Sequence, residues 1–268
     1  MSISIPTVAT SGGDLPVIVY DSVFTDALAT VTTDSEDATY IHDQALDWDP
    51  TTAWLPASSG EHYIQAQFAA PRAADCVFAY VPDVAENGGT VKVQSSDDGI
   101  AWTDQTAAIT PTSVNPHVFV YFAEVSAYYW RFVVTSTPAS FVPVAVIGER
   151  LQLPRGLPMN YALPSLSRDV DIDNLESVGG TFRARVVRRD GCQQDISVAY
   201  LDKSYARVTL LPFIKHAELL PFGWSPQPDK YPNEIALLWA ERSIQPLTSD
   251  AWDRVKFTMQ GRGTCNGQ

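Results

Sequence analysis

Short segments of alternating apolar and polar residues run through the first half of the chain, and turn residues separate them. A period of two is typical of strands with one buried face, whereas a helix repeats every three to four residues. Clusters such as Asn87-Gly88-Gly89 and Asp97-Asp98-Gly99 mark the turns. We therefore predict a β-sandwich in this half. The predicted strands are 63–68, 76–81, 90–95, 118–123, 129–135 and 144–149.

The second half also predicts strands. Between 181 and 188 the apolar residues Phe182, Ala184 and Val186 alternate with polar ones, so they share one face of a strand. Asp190-Gly191 predicts a hairpin turn into a further strand at 194–201. Two more strands are predicted at 234–240 and 255–261.

One short helix is predicted at 212–219. Pro212 suits the first turn of a helix, and Phe213, Ala217 and Leu220 share one helical face. The proline-rich segment after it would end the helix. The expected fold class is thus all-β, with two sandwich modules and one short helix in the second.

The boundary between the modules is predicted at a linker rich in proline and glycine, 151–158. The charge balance changes there: residues 1–150 hold 4 Lys and Arg against 18 Asp and Glu, a balance of −14. Residues 151–268 hold 14 against 13, a balance of +1. We therefore divide the chain into a leader, 1–21, a first module, 22–151, and a second module, 152–268. The leader contains a short apolar strand that forms either an arm or part of the second module.

Three motifs succeed one another in the first module. DWDPTTAW begins at Asp47, SSDDGIAW begins at Ser95, and WRFV begins at Trp130. In this order they resemble the discoidin family, the coagulation factor 5/8 type C domains. The resemblance covers about 22–151 and implies a small jelly-roll sandwich used for binding. Trp54, Tyr63 and Trp102 are aromatic residues that could stack on a sugar, but the resemblance implies that Trp54 and Trp102 belong to the core.

The second module carries a different set of motifs. SVGG begins at Ser177, LPFGW at Leu220 and EIALLW at Glu234. Together they resemble the distal tail ring proteins of long-tailed bacteriophages. That resemblance implies a non-enzymatic component of the virion tail tip, made in the host cytoplasm. It would form a ring, with six copies expected, and contact the tail tube, hub and fibre proteins.

The two resemblances leave two functions open. The first is a tail-tip ring that carries the discoidin-like module outward, where it could bind a glycan of the host surface. The alternative is a soluble carbohydrate-binding protein. Hydrolysis of glycosides is a weaker third hypothesis, because nothing distinguishes one pair of carboxylates from the others. The loops at one end of the sandwich would bind the ligand, and the candidate residues are Tyr40, His42, Asp83 and Glu86.

A metal ion is considered at two places. Asp47, Asp49 and Thr52 offer oxygen ligands that could hold calcium, or they could only cap the turn. Asp169, Asp171 and Asp173 imitate the start of a calcium loop. However, Gly180 stands where that loop requires a glutamate, so an alternating polar strand is the better interpretation. No other cofactor is expected.

The remaining signals bear on partners and on location. Arg183, Arg185, Arg188 and Arg189 are predicted to contact a neighbouring subunit. The acidic first half argues against nucleic acid as a ligand. No apolar run is long enough to span a membrane, and the first residues do not resemble a signal peptide. Three widely separated cysteines predict reduced thiols.

Overall fold

The computed structural model describes residues 15–158, 161–176, 178, 180, 182–242, 244, 246–249 and 254–267. Within them, strands in two separate sheets dominate, which confirms the predicted all-β class. The strands are β1 Val17–Val19, β2 Thr30–Thr33, β3 Gly60–Tyr80, β4 Thr90–Ser96, β5 Thr103–Asp104, β6 His117–Ser136, β7 Val144–Gly148, β8 Leu151–Gln152, β9 Arg168–Glu176, β10 Phe182–Asp202, β11 Phe222–Ser225, β12 Ala236–Ala240, β13 Leu247–Ser249 and β14 Arg254–Cys265. The α-helices are α1 Pro82–Glu86, α2 Lys203–Tyr205 and α3 Leu211–Ala217; 3-10 turns lie at His42–Ala45 and Pro164–Leu166, and a π-turn at Ala206–Leu210.

The first module is a sandwich built from one sheet whose two longest strands bend through both layers. In the order β2-β3-β6-β4-β5, the first part of β3 pairs with β2 and with the last part of β6. The second part of β3 pairs with β7 and with the first part of β6. The β3–β6 register shifts between Gln67 and Arg72 and again between Ala74 and Cys76, where the ladder is irregular. Such irregularities increase twist and bend a strand, which lets the same strands serve both layers.

The core of this module lies between the two layers. Trp54, Trp130 and Phe132 are completely buried in it. Each indole N–H is satisfied by a backbone carbonyl: Trp54 donates to Ser35 at 3.0 Å and Trp130 to Arg72 at 2.9 Å. Burying an unpaired N–H would cost about 1–3 kcal/mol, so these bonds let a tryptophan occupy a dry core.

The second sheet has the order β8-β1-β11-β12-β14-β10-β9, and β13 pairs with β14. The leader strand β1 lies between β8 and β11, where Ile18 is opposite Trp224 and Leu151. The sequence left the place of this strand open, and the structure assigns it to the second module. One face of the sheet packs against α3 through Phe213, which contacts Phe222 and Phe257 edge to face.

The prediction of a hairpin turn at Asp190-Gly191 is wrong. Both residues lie inside the continuous strand β10, and the hairpin is instead formed by β9 and β10, with Ile172 opposite Val187. Gly191 is needed for close approach and not for a turn, because a Cβ there would lie 2.6 Å from the carbonyl oxygen of Gly263. The polar strand predicted at Asp169, Asp171 and Asp173 is confirmed as β9.

The predicted helix is present as α3, with Phe213 and Ala217 buried as expected. Leu220 was predicted on the same apolar face, but it lies beyond the end of the helix and is exposed. Ile214 and Leu210 complete the buried face in its place. The π-turn before the helix shifts the positions that face the core.

The two modules share a third core cluster. Alternate residues of β7 point to opposite sides: Ala145 and Ile147 face the sandwich interior, whereas Val144 and Val146 face the second module. The cluster also contains Phe78 and Phe119 from the first module and Val17, Val19, Ile235 and Leu237 from the second. β7 is therefore buried on both faces, as an uninterrupted apolar run requires.

Close contacts and hydrogen bonds complete this junction. A Cβ on Gly223 would lie 2.6 Å from the Phe78 ring, so only glycine lets the two modules approach this closely. The backbone N–H of buried His117 donates to the Asn266 side-chain oxygen at 2.9 Å, and His117 Nε2 lies 3.0 Å from Thr264 Oγ1. The Tyr121 hydroxyl donates to Asp229. The interface is thus apolar at its centre and hydrogen-bonded around it.

Candidate functional site

Loops at one end of the first module bring most of the predicted ligand-binding residues together. The backbone of Trp54 pairs with that of Val142, and the Leu55 N–H donates to the Tyr40 carbonyl at 3.0 Å. These bonds place the loop before the turn at His42–Ala45 beside the loop at 137–143. We call this region the loop end and define it by Glu36, Tyr40, His42, Asp83, Asn87 and Phe141.

An aromatic pair, the exposed Tyr40 and the half-buried Phe141, lies at the loop end. The rings of Tyr40 and Phe141 meet edge to face with centroids 4.9 Å apart, and 40 % of Tyr40 remains exposed. Asp83 holds Phe141 in place, because its Oδ2 accepts the Phe141 backbone N–H at 2.8 Å. Asn87 donates to the Ser140 hydroxyl at 2.9 Å. Both Asp83 and Tyr40 therefore contact the same residue, which the sequence could not show.

A histidine–carboxylate pair lies in the same loop as Tyr40. His42 Nδ1 is 2.7 Å from Glu36 Oε2, and the His42 backbone N–H donates to the same oxygen at 3.1 Å. The hydrogen bonds from the side chain and backbone of His42 lower the pKa of Glu36, so this carboxylate is ionised at neutral pH. An ionised carboxylate is a strong acceptor for a hydroxyl group.

Glu86 is the last residue of α1 and is exposed, on the same short helix as Asp83. Glu36, Asn87 and Phe141 were not among the ligand-binding residues predicted from the sequence. The only local signal for Phe141 is an isolated aromatic residue between Pro138 and Pro143, which marks a loop and not a core strand. Glu36 gave no signal, because its importance comes from its contact with His42.

The environment of Trp102 differs from the core position that was predicted. The side chain is only half-buried, and the Arg131 guanidinium lies 3.6 Å from its ring centroid. Tyr63 lies on Arg131 as well, with its ring centroid 3.7 Å from the guanidinium. Arg131 therefore already occupies a stacking position on both rings, and Arg131 Nε donates to Gln65. Trp102 ends up outside the core because it precedes the short strand β5 at the sheet edge. Trp54, by contrast, is buried as predicted.

Asp47, Asp49 and Thr52 cap the turn that they form. Asp47 accepts the Asp49 N–H at 2.8 Å and the Thr52 hydroxyl at 2.8 Å, and Asp49 accepts both the N–H and the hydroxyl of Thr51. The bonds from Thr51 lower the pKa of Asp49. No group of three or more His, Cys, Asp and Glu residues in the described ranges is placed to hold a metal ion. The oxygen atoms of Asp47, Asp49 and Thr52 thus make hydrogen bonds within the turn. Calcium binding there stays a prediction.

The arginines predicted for a subunit interface lie on the exposed part of β10 that pairs with β9. Arg188 forms an ion pair with Asp173, and Arg185 Nε donates to Asn174 at 3.0 Å. Arg183 is exposed on the same stretch, and the side chain of Arg189 lies outside the described residues. Arg185 and Arg188 therefore already have partners on the neighbouring strand of the same hairpin.

The first module matches a known protein family. Residues 29–145 match the model of the F5/8 type C domain. The discoidin resemblance of the first module is confirmed over this range. The match covers the whole loop end and the sandwich up to the start of β7. The resemblance of the second module to tail ring proteins stays a prediction.

Solved structures similar to the chain include several carbohydrate-binding modules. A pectin-binding module is 18 % identical, with a TM-score of 0.39, and the match covers 48 % of this chain and 93 % of that one. A chitosan-binding module from a chitosanase/glucanase of Paenibacillus sp. IK-5 is 21 % identical, with a TM-score of 0.38 and coverages of 45 % and 94 %. A Clostridium perfringens module in complex with GalNAc-β-1,3-galactose is 13 % identical, with a TM-score of 0.39 and coverages of 45 % and 94 %.

No curated protein matches the sequence significantly. Among the helices of the described residues, none has the length and apolar character needed to cross a membrane.

Proposed function

We propose that the protein is a non-catalytic carbohydrate-binding protein and that the loop end of its first module is the binding site. The observation that carries this proposal is the contact of the exposed Tyr40 with the half-buried Phe141. Asp83 is bonded to Phe141, and the Glu36–His42 pair lies in the same loop as Tyr40. Aromatic faces pack against the C–H faces of pyranose rings, while carboxylates and amides bind the hydroxyl groups. The match of residues 29–145 to the F5/8 type C domain supports a binding role for this module.

The charge of the site indicates the class of sugar. The first half of the chain carries a balance of −14. Glu36 and Asp83 belong to the loop end, and Glu86 lies on the same short helix as Asp83. A polyuronate would be repelled by these carboxylates, whereas neutral sugars and protonated amino sugars would not. We therefore expect neutral or amino-sugar oligosaccharides as ligands. Pectin-type and alginate-type oligosaccharides should bind more weakly.

The test uses the full-length protein on an array that holds neutral, amino-sugar and uronate oligosaccharides, followed by calorimetric titration with the best ligand. We expect Phe141→Ala and Tyr40→Ala to weaken binding by about tenfold to a hundredfold, because each removes a stacking surface. Tyr128→Ala is the matched control, since Tyr128 is 37 % exposed on β6, close to the 40 % of Tyr40. It should leave the affinity unchanged.

Two results would contradict the proposal. One is the absence of binding to any oligosaccharide on the array. The other is binding that the Tyr40 and Phe141 variants leave unchanged, which would place the site elsewhere. Preferential binding of uronates would retain a carbohydrate function but would reject the role that we give to the acidic residues.

A further inference from the structure

A two-stranded arm forms one edge of the second sheet. The arm consists of β9 and residues 182–190 of β10. Within the described residues β10 pairs with β14 only from Cys192 onward, so residues 182–190 pair with β9 alone. The first module packs against β1 and β12, and it is bonded to β14 through His117 and Thr264. None of the described arm residues belongs to the shared core cluster.

The arm exposes an unusual number of apolar side chains. A two-stranded ribbon that nothing covers is only marginally stable in water, and soluble proteins rarely leave contiguous apolar surface of this kind exposed. In the first module, by contrast, exposed apolar residues such as Leu28 and Ile100 are widely separated in sequence, apart from the neighbours Tyr40 and Ile41. The exposed apolar residues of the arm are Ile172, Leu175, Phe182, Val186 and Val187.

The register sorts part of this set onto one face. Ile172 is opposite Val187, and Asn174 is opposite Arg185, two residues further along each strand. Because opposite residues and alternate residues point the same way, these four side chains share a face. Glu176 and Phe182 are opposite each other at the end of the same face. This surface, the arm face, thus combines three apolar side chains with one arginine and one glutamate.

We propose that the arm face packs against the arm face of a second copy of this chain. The distribution of charge favours a second copy as the partner. The whole chain carries a net charge of −13, so two copies repel each other over most of their surface. Residues 168–190, however, contain five arginines and five carboxylates and are neutral. The arm is therefore a place where two copies meet without net repulsion. Each arm face also offers a glutamate for the arginine of the other. Packing of the two faces covers Ile172, Phe182 and Val187 on both copies.

The size of the arm limits the strength of this contact. Nine residues of extended strand are about 30 Å long, so two stacked ribbons bury less surface than a permanent dimer does. We expect association that is visible in a concentration series and is lost on dilution. Since the contact is largely apolar, moderate salt should not abolish it.

The test is the mass of the full-length protein by light scattering and sedimentation velocity over a concentration series. The wild type should rise above the monomer mass of 29.4 kDa as the concentration increases. The double variant Ile172→Asp/Val187→Asp should raise the concentration needed for association by about tenfold or more. The matched control, Ile100→Asp/Leu219→Asp, changes two exposed apolar residues outside the arm and should associate like the wild type.

A second measurement gives the position of the contact. Val187→Cys should form a disulfide between two copies when it is treated with oxidised glutathione: two thiols lose two protons and two electrons, and the glutathione disulfide is reduced. Ile100→Cys, which is even more exposed and lies in the first module, should not form one. The native cysteines are buried and should not react.

Either of two outcomes would overturn the proposal. The wild type could remain at 29.4 kDa at every concentration, or the arm variant could associate as the wild type does. In the second case two copies meet elsewhere. The wild type could also form an assembly of more than two copies. If the arm variant abolishes that assembly, the result supports the proposal, because another copy of the chain still covers the arm face. Circular dichroism of the variants shows whether a loss of association reflects a loss of folding.

Discussion

At the scale of single residues, a sequence motif does not determine whether its tryptophan is buried. Trp54 and Trp102 both end a polar turn motif, yet Trp54 is completely buried and Trp102 lies on Arg131 at the sheet surface. The difference lies in the pairing of the chain around each tryptophan. Trp54 pairs with Val142 across the sandwich, whereas Trp102 leads into an edge strand of two residues. Nothing within the motif distinguishes the two.

The protonation of His117 should make the stability of the fold depend on pH. His117 is buried at the junction, stacked on Tyr80 and bonded to Asn266. Burial lowers its pKa from 6.5 to about 4, because charging it there would cost solvation. The unfolded chain therefore takes up a proton more readily than the folded one, and folding loses stability as the pH falls from about 6.5 to about 4.

The expected loss from His117 is about 3 kcal/mol by pH 4, at about 1.4 kcal/mol for each unit of pKa. Burial also lowers the pKa of His216, which adds a loss of the same sign. Urea unfolding of the wild type and of His117→Gln between pH 7.5 and 4.5 measures the effect. The variant should start less stable and show a flatter dependence on pH. Parallel curves for the two proteins would show that His117 does not titrate as described.

Elements of secondary structure are placed by the residues that cover their faces. The apolar run of β7 marks a strand with two buried faces, since its outward residues meet the second module. By contrast, β2 has alternating half-buried and exposed residues, as expected of a strand with solvent on one side. The arm strands are exposed on both faces although they carry apolar residues, which is why we assign them a partner.

Substitutions on β7 test its two-sided burial. Val146→Ser, on the side of the second module, and Ile147→Ser, inside the sandwich, should each cost about 2–4 kcal/mol, because each leaves a cavity and buries a hydroxyl. Thr32→Ser on β2 should change the free energy of unfolding by no more than about 0.5 kcal/mol. Chemical denaturation measures all three. A cost for Val146→Ser as small as that of Thr32→Ser would mean that the outer face of β7 is not covered.

At the scale of the whole molecule, we expect the two modules to behave as one folding unit. β1, from the leader, belongs to the second sheet, and the chain after it forms the first module before β8 returns to pair with β1. The shared cluster around Phe78 and Phe119 would be open to water if either module were alone. The change of charge balance at residue 150 marks two differently charged surfaces, and we expect the modules that carry them to unfold together.

Calorimetry of the full chain should therefore show a single transition in which the calorimetric and van't Hoff enthalpies agree. A fragment of residues 22–150 should aggregate, because it exposes Phe78, Phe119, Val144 and Val146. Replacing the two phenylalanines by serine should improve its solubility. Two separate transitions in the full chain, or a soluble and monomeric fragment, would show that the modules fold independently.

Sequence patterns were sufficient to predict most of the strands, the all-β class and the discoidin-like first module, and two of the loops that carry the candidate site. Local patterns suffice there, because alternation, turn residues and indole positions act over a few neighbouring residues. Long-range packing decided the place of β1, the continuity of β10, the second buried face of β7 and the meeting of Tyr40, Phe141 and Asp83. Each of these depends on contacts between residues far apart in the chain, and a one-dimensional pattern contains no distance between them.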